Sequence, residues 1–427
     1  MLVNVGKLMS HTSTKGGGGV KHPFNPSLVD AWFMSGLSNA DKPGSITGVM
    51  GNEMILKNFA FTSESGFGEG NYDGALVFDG MDDYGICNNL PILDDYTVIC
   101  KREIINEETG SVASKRTSSS QWNGAFIFER KNQLTSFGQN NYRTIQQNNV
   151  SYMTTTSYNG NTISRGSLQD TEYLILGADG FNIDLNKAHG FSNCAIYYFA
   201  LYNKSLAPEE IETEKERLNE EWLKRSKVTI PEPDVYYDLS LKDNSSPTRN
   251  IIDDLSGNGH DAEIFNAAYT ESSGYRSDGA FVFDSIDDYA IMQNVTKGFK
   301  TLFMEVIPSL TTDKSGFLYD QRVGQTSFGI SISLNHIAYN AYNWGGVTYI
   351  NRKLNTTMNG KEVYLKHQII TIVNGTDLKP QKVVLGGDTG LSGYFSNMAL
   401  YKLIGFYDEL TPLQIEKVIN DYKLKYN

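Results

Sequence analysis

The sequence predicts an all-β chain: two tandem antiparallel β-sandwiches, each closed by a C-terminal helix, behind a short N-terminal arm. Three observations carry this. The same run of segments occurs twice along the chain. The apolar stretches are short and end in turn residues. The composition, with 40 Gly, 25 Tyr, 21 Phe and 11 Pro in 427 residues, favours turns and strands over long helices.

The repeat is direct. Residues 74–84 read GALVFDGMDDY and residues 279–289 read GAFVFDSIDDY, with eight of eleven positions identical. Phe191-Ser192-Asn193 returns as Phe395-Ser396-Asn397, and Leu206-Ala207-Pro208 as Leu410-Thr411-Pro412, both 204 residues later. Asp30-Ala31-Trp32-Phe33 matches Asp234-Val235-Tyr236-Tyr237 at the same offset. A period this long is a duplicated domain and not a solenoid repeat. The resulting division is an arm over 1–25, a first copy over 26–224, a linker over 225–233 (RSKVTIPEP) and a second copy over 234–427. The two prolines make the linker extended.

Within each copy the elements follow in order. ALVFD and AFVFD are apolar strands running into a tight turn. TEYLILGAD and QKVVLGGD are strands closed by glycine. NCAIYYFALY and NMALYKLIGFY are long enough to be central strands. Each copy then ends in a helix. In the second, Thr411 caps, Pro412 suits the first helical position and Gln414 completes a capping box. Ile415, Ile419, Tyr422 and Tyr426 form its apolar face by helical spacing. In the first, Pro208 and Glu210 match, but Ala207 stands where a cap is needed. Ile211, Leu218 and Trp222 make the apolar stripe.

The ordered set G-A-x-x-F-D-x-x-D-D-Y, F-S-N and L-x-P-x-x-I resembles the concanavalin A-like lectin/glucanase superfamily, in its laminin-G-like branch. Asp254-Leu255-Ser256-Gly257-Asn258-Gly259-His260 resembles that branch's early turn; the first copy keeps only Gly51-Asn52 of it. The resemblance spans about 400 residues, everything after the arm. It implies two jelly rolls, each of two curved sheets packed face to face. It leaves function open, because that superfamily holds carbohydrate-binding modules, glycosidases and purely structural domains.

Glycosidases of the superfamily set carboxylates as E-x-D-x-E along one strand, where a period of two puts them on one face. The nearest match is Glu212-x-Glu214-x-Glu216, in the charged helix of the first copy. Asp82-Asp83 and Asp287-Asp288 are adjacent pairs and read as turn aspartates. The chain is therefore expected not to be an enzyme. The histidines show no zinc spacing, and the Gly16–Gly19 run lacks the ending of a phosphate loop. No cofactor is expected, with one weak calcium candidate: Asp179, Asn182, Asp184 and Asn186 alternate along one loop. Cys87, Cys100 and Cys194 are an odd, sparse set and read as packed thiols, with one disulfide as the alternative.

Glycan binding needs exposed aromatic platforms beside amides or charges. Trp122, Tyr142 and Arg143 offer one in the first copy. Tyr339, Tyr342, Asn343, Trp344 and Tyr349 offer another in the second. Core packing or an oligomer contact is the competing, and favoured, explanation of such aromatics.

The charge balance is 37 basic against 49 acidic residues, a net −12. That disfavours general nucleic-acid binding, which uses cationic surfaces. No apolar stretch reaches transmembrane length, and residues 1–25 lack a secretory h-region. The expectation assembled from these points is a virion surface protein. Residues 1–25 would anchor it to other virion proteins, and its two lectin-like modules would contact glycan or a host surface, as a homo-oligomer without nucleic-acid or membrane contact. The sequence is similar in style to structural proteins of tailed bacteriophages, the crAss-like group among them. A free bacterial carbohydrate-binding protein is one alternative; a glycoside hydrolase, disfavoured by the missing E-x-D-x-E array, is the other.

Overall fold

The computed structural model describes residues 24–106, 110–118, 122–145, 149–183, 185–309, 316–322, 329–333, 336–339, 347–351, 353–354, 365–373, 379–380, 382–391 and 393–426. Residues 1–23 of the arm, Tyr342, Asn343, Trp344 and Asp184 lie outside the described residues. Among those described, the chain is nearly all β, with two α-helices, Pro208–Ser226 (α1) and Pro412–Asp421 (α2).

Two sheets draw their strands from 28–202 and two from 235–406. In the first half, Asn193–Tyr202 is central, hydrogen-bonded antiparallel to Thr97–Asn106, Leu76–Asp79 and Leu28–Phe33. The facing sheet runs Gln139–Tyr142, Gln133–Ser136, Trp122–Arg130, Ser111–Ser118, Leu174–Leu176, Tyr84–Cys87, Glu53–Lys57 and Ser45–Thr47 in spatial order. The second half repeats the scheme. Asn397–Phe406 pairs with Thr301–Ser309, Phe281–Asp284 and Val235–Asp238.

One face of each sheet supplies the core. Phe78, Val98, Cys100, Cys194 and Leu201 from one sheet meet Met54, Val112, Ala113, Phe126 and Phe128 from the other. The opposite face of the central strand is covered too. Tyr198, Ala200 and Tyr202 pack under Ile211, Leu218, Trp222 and Leu223 of α1. In the second half Phe303, Ile404 and Phe406 pack under Ile415, Val418 and Ile419 of α2. A strand buried on both faces has no need for alternation, which is why NCAIYYFALY and NMALYKLIGFY read as nearly continuous apolar runs.

The duplicated glycines have one job. Gly177 sits at φ +76 with its pro-Cβ position 2.1 Å from the Phe78 ring. Gly386, at φ +75, is 2.4 Å from the ring of Phe283. Any side chain would strike the phenylalanine of the FD strand, so the chain passes the core only as glycine.

The helix caps differ as their residues dictate. Thr411 Oγ1 accepts from Gln414 N, and Gln414 Oε1 accepts from Thr411 N at 2.9 Å. In α1 only the return half forms: Glu210 Oε2 accepts from Ala207 N at 2.8 Å, and alanine has nothing to offer back. α2 ends at Asp421, so Tyr422 is its C-cap and Tyr426 lies beyond it, 42% exposed. Tyr422 still packs on the cluster under α2, and Leu413 and Val418, outside the expected stripe, are buried as well. The three cysteines are buried free thiols. Burial pushes Cys87 and Cys194 up to about 12.

Candidate functional site

The two aromatics expected in the first half lie on the outer two of three consecutive strands, at opposite ends of them, so the structure does not bring Trp122 and Tyr142 together. Trp122 opens the strand Trp122–Arg130, and Tyr142 closes Gln139–Tyr142. Gln133 of the strand between them faces both Arg130 and Tyr142. Tyr142 is 70% exposed. Arg143 is held beside it by two backbone carbonyls: Nη1 donates to Tyr142 O at 2.8 Å and Nη2 to Thr162 O at 2.7 Å. At the other end of these strands is a cleft of about 140 Å³ lined by Arg116, Gly124, Thr135, Gly138, Asn140 and Leu168, among others. Thr135 Oγ1 donates to Asn140 Oδ1 at 3.0 Å. The cleft thus offers a guanidinium, a hydroxyl and an amide within one short span.

A buried ionic layer supports this surface. The Arg102 guanidinium grips Glu129 through Nε (2.5 Å) and Nη2 (2.7 Å), and Tyr158 donates to the same carboxylate at 2.7 Å. Arg102 and Glu129 have no exposed side-chain surface, and the carboxylate holds the guanidinium well charged despite burial. Lys115 is likewise buried against Asp170 and the Thr171 carbonyl, and burial pulls its pKa down. Asp170 also accepts from the backbone of Ala125 and Leu93. Burying such pairs is favourable only when every lone pair is used, and these two are densely bonded.

The second-half candidates behave differently. Tyr339 ends the strand His336–Tyr339, opposite Ile330. Tyr349 is half-buried and packs on the cluster under α2. It is part of the apolar layer there and not an open platform.

The calcium candidate meets an arginine instead. Asp179 is 4% exposed, and its Oδ2 lies 3.1 Å from Arg130 Nε. Asn182 Oδ1 accepts from Leu185 N, closing the hairpin turn, and Asn186 takes a left-handed φ of +49 in the same turn. A guanidinium is thus seated on the buried Asp179 carboxylate, and Asn182 and Asn186 are committed to the turn; Asp184 lies outside the described residues.

A different acidic group is brought together twice, unforeseen because it joins the strand end to the turn. Asp79, Asp82 and Asp83 have carboxylate oxygens within 4.8 Å of one another, as do Asp284, Asp287 and Asp288. The turn itself uses them. Asp79 Oδ1 accepts from Met81 N, and Asp83 Oδ2 from Asp79 N and from the Ser65 side chain. Asp284 and Asp288 repeat this with Ile286 N, Asp284 N and Ser273.

No protein-family model matches the chain, and no curated protein matches it. Solved structures do. A Trypanosoma rangeli sialidase in complex with sialic acid matches 46% of this chain and 33% of its own, at 13% identity and a TM-score of 0.32. The HCR/D W1238A mutant matches over 92% of this chain and 99% of its own, at 11% identity and a TM-score of 0.32. A botulinum neurotoxin DC binding domain in complex with SialylT matches over 88% and 98%, at 11% identity and a TM-score of 0.29. The chain therefore spans about a third of the sialidase it matches first.

One expectation is corrected by these matches. The chain was expected not to be an enzyme because it lacks the E-x-D-x-E array. Sialidases stand among its structural matches. The missing array excludes nothing.

Proposed function

We propose that this chain is a two-module lectin-type surface-contact protein. Its modules are jelly-roll sandwiches of the laminin-G-like kind, and the first presents a glycan-contact face on strands Trp122–Arg130, Gln133–Ser136 and Gln139–Tyr142. The observation that carries this is the pairing of Tyr142, 70% exposed, with Arg143 on one rim of a sheet that also bears the Arg116–Thr135–Asn140 cleft. An open aromatic face with nearby hydroxyl, amide and guanidinium groups is what a sugar ring uses for stacking and hydrogen bonding.

The setting we propose is a tailed-phage virion, with residues 1–25 as the attachment to the particle. The support is the order of repeat motifs and the similarity in sequence style to tailed-phage structural proteins.

Two measurements test this. A glycan array probed with the full chain is expected to show saturable binding to a restricted set of glycans; a folded chain that binds none overturns the lectin reading. Mass spectrometry of purified virions is expected to find the chain; its absence from particles overturns the virion setting.

A further inference from the structure

The whole-chain charge conceals a local reversal. Between residues 111 and 169 the charged residues are Lys115, Arg116, Glu129, Arg130, Lys131, Arg143 and Arg165, six basic against one acidic, in a chain of net −12. Three described acids in and beside this run are taken up by ion pairs. Glu129 is buried on Arg102, which comes from the opposite sheet, and Asp170 is buried on Lys115. Asp179 is 4% exposed and pairs with Arg130.

The remaining cations fall into two groups on the first module, one at each end of the strands Trp122–Arg130 and Gln133–Ser136. Arg130 and Lys131 stand at the turn leading into Gln133–Ser136, and Arg130 keeps 45% of its side chain exposed. Arg143 joins them, because its N–H donates to Asn132 O at 3.0 Å and its guanidinium is held by carbonyls and not by a carboxylate. Arg165 lies 4.2 Å from the centre of the Phe137 ring, at the hairpin turn beside the cleft. Arg116 lines the cleft at the other end. Arg116 pairs with Gly124, six residues from Arg130 along the strand, so about 20 Å of strand separates their backbones.

We propose that this surface binds a glycan bearing carboxylate or sulfate groups, with Arg130, Lys131 and Arg143 meeting its anionic substituents and Tyr142 stacking on a ring. The proposal rests on the glycan-contact reading above and adds the ligand's charge. A nucleic acid would present phosphates over a longer track, and the rest of this acidic chain would repel it. A short acidic oligosaccharide fits the confined patch, and Thr135 and Asn140 suit its hydroxyls.

The test uses the full chain in binding titrations against heparin (sulfate), polygalacturonate (carboxylate), laminarin (neutral) and single-stranded DNA. The expected result is binding to at least one acidic polysaccharide that weakens with salt. It falls by about tenfold or more in Lys131→Glu/Arg143→Ala, whose residues are exposed and whose melting temperature should stay unchanged. Lys131→Glu alone, at an exposed turn, gives a smaller loss in the same direction and serves if the double variant does not fold. Unchanged affinity in folded variants overturns the proposal, as does DNA binding equal to that of the polysaccharides. Binding to laminarin alone overturns it while leaving the glycan-contact reading intact. Binding to none of the glycans removes both.

Discussion

Lys101 of the first module lies 3.2 Å from Glu416 of the second, with its ammonium 4.0 Å from the centre of the Trp222 ring. Lys101 also donates to Asn219 Oδ1 at 3.2 Å, so one lysine ties a strand of the first sandwich to both helices. Leu413 of α2 completes the junction. It is 3% exposed and sits in the apolar cluster beneath α1, and it closes a cleft of about 280 Å³ lined by Asp41, Asp73 and Lys227, among others. The modules are docked and not strung on a free linker.

Loosening that junction should separate the modules before it unfolds either. Leu413→Ala/Lys101→Ala is expected to cost about 2–4 kcal/mol of docking free energy, most of it from the leucine. Calorimetry should then show two transitions in place of one, with faster proteolysis of residues 225–233. A single unshifted transition would show that the contact contributes nothing.

The duplicated turn makes a prediction about pH. Desolvation comes first among the causes that push Asp83 and Asp288 up to about 6, with repulsion from Asp79 and Asp82, or Asp284 and Asp287, adding to it. The folded chain therefore holds these protons more tightly than the unfolded chain does. The resulting stabilisation is full below the unfolded pKa near 3.8 and is lost as pH rises through about 6. Asp83→Asn/Asp288→Asn removes both titrations. In urea unfolding, the difference between variant and parent should move in the variant's favour as pH rises from about 4 to about 6.5. Parallel stability curves would contradict this.

The Arg102–Glu129 pair makes a third. Arg102→Met leaves a buried carboxylate with Tyr158 as its remaining close donor and should cost about 3–5 kcal/mol. Arg102→Met/Glu129→Leu removes both charges and should recover most of that loss. If the double variant is as unstable as the sum of the single ones, the pair is not coupled as described. Chemical denaturation of the three variants decides it.

Much of the fold was legible because the same solutions appear twice. The FD strands, the Gly177 and Gly386 crossings, the central strands and both helices follow from local patterns that the duplication reinforces. The Asp79–Asp82–Asp83 cluster was half legible: the adjacent pair reads as a turn, but Asp79 joins it only when the turn folds back. Exposure was not legible at all. Tyr142 and Tyr349 are the same residue type in similar polar contexts, yet one stands open at a strand end and the other packs under α2. Which face of a strand a side chain takes depends on register, and helix cover is added from far along the chain. The basic stretch over 111–169 was hidden by averaging charge over 427 residues, and by acids that only the fold shows to be buried.

The central claim is that the first module contacts glycan through the strand ends around Tyr142. The most direct measurement is the affinity of full-length Tyr142→Ala for whichever array glycan the parent chain binds, beside Tyr349→Phe as a control. Removing an exposed stacking ring should weaken binding by about tenfold, on the order of 1–1.5 kcal/mol, with little change in melting temperature. Tyr349→Phe keeps the packed ring and should bind as the parent does. Undiminished binding by a folded Tyr142→Ala chain would contradict the account.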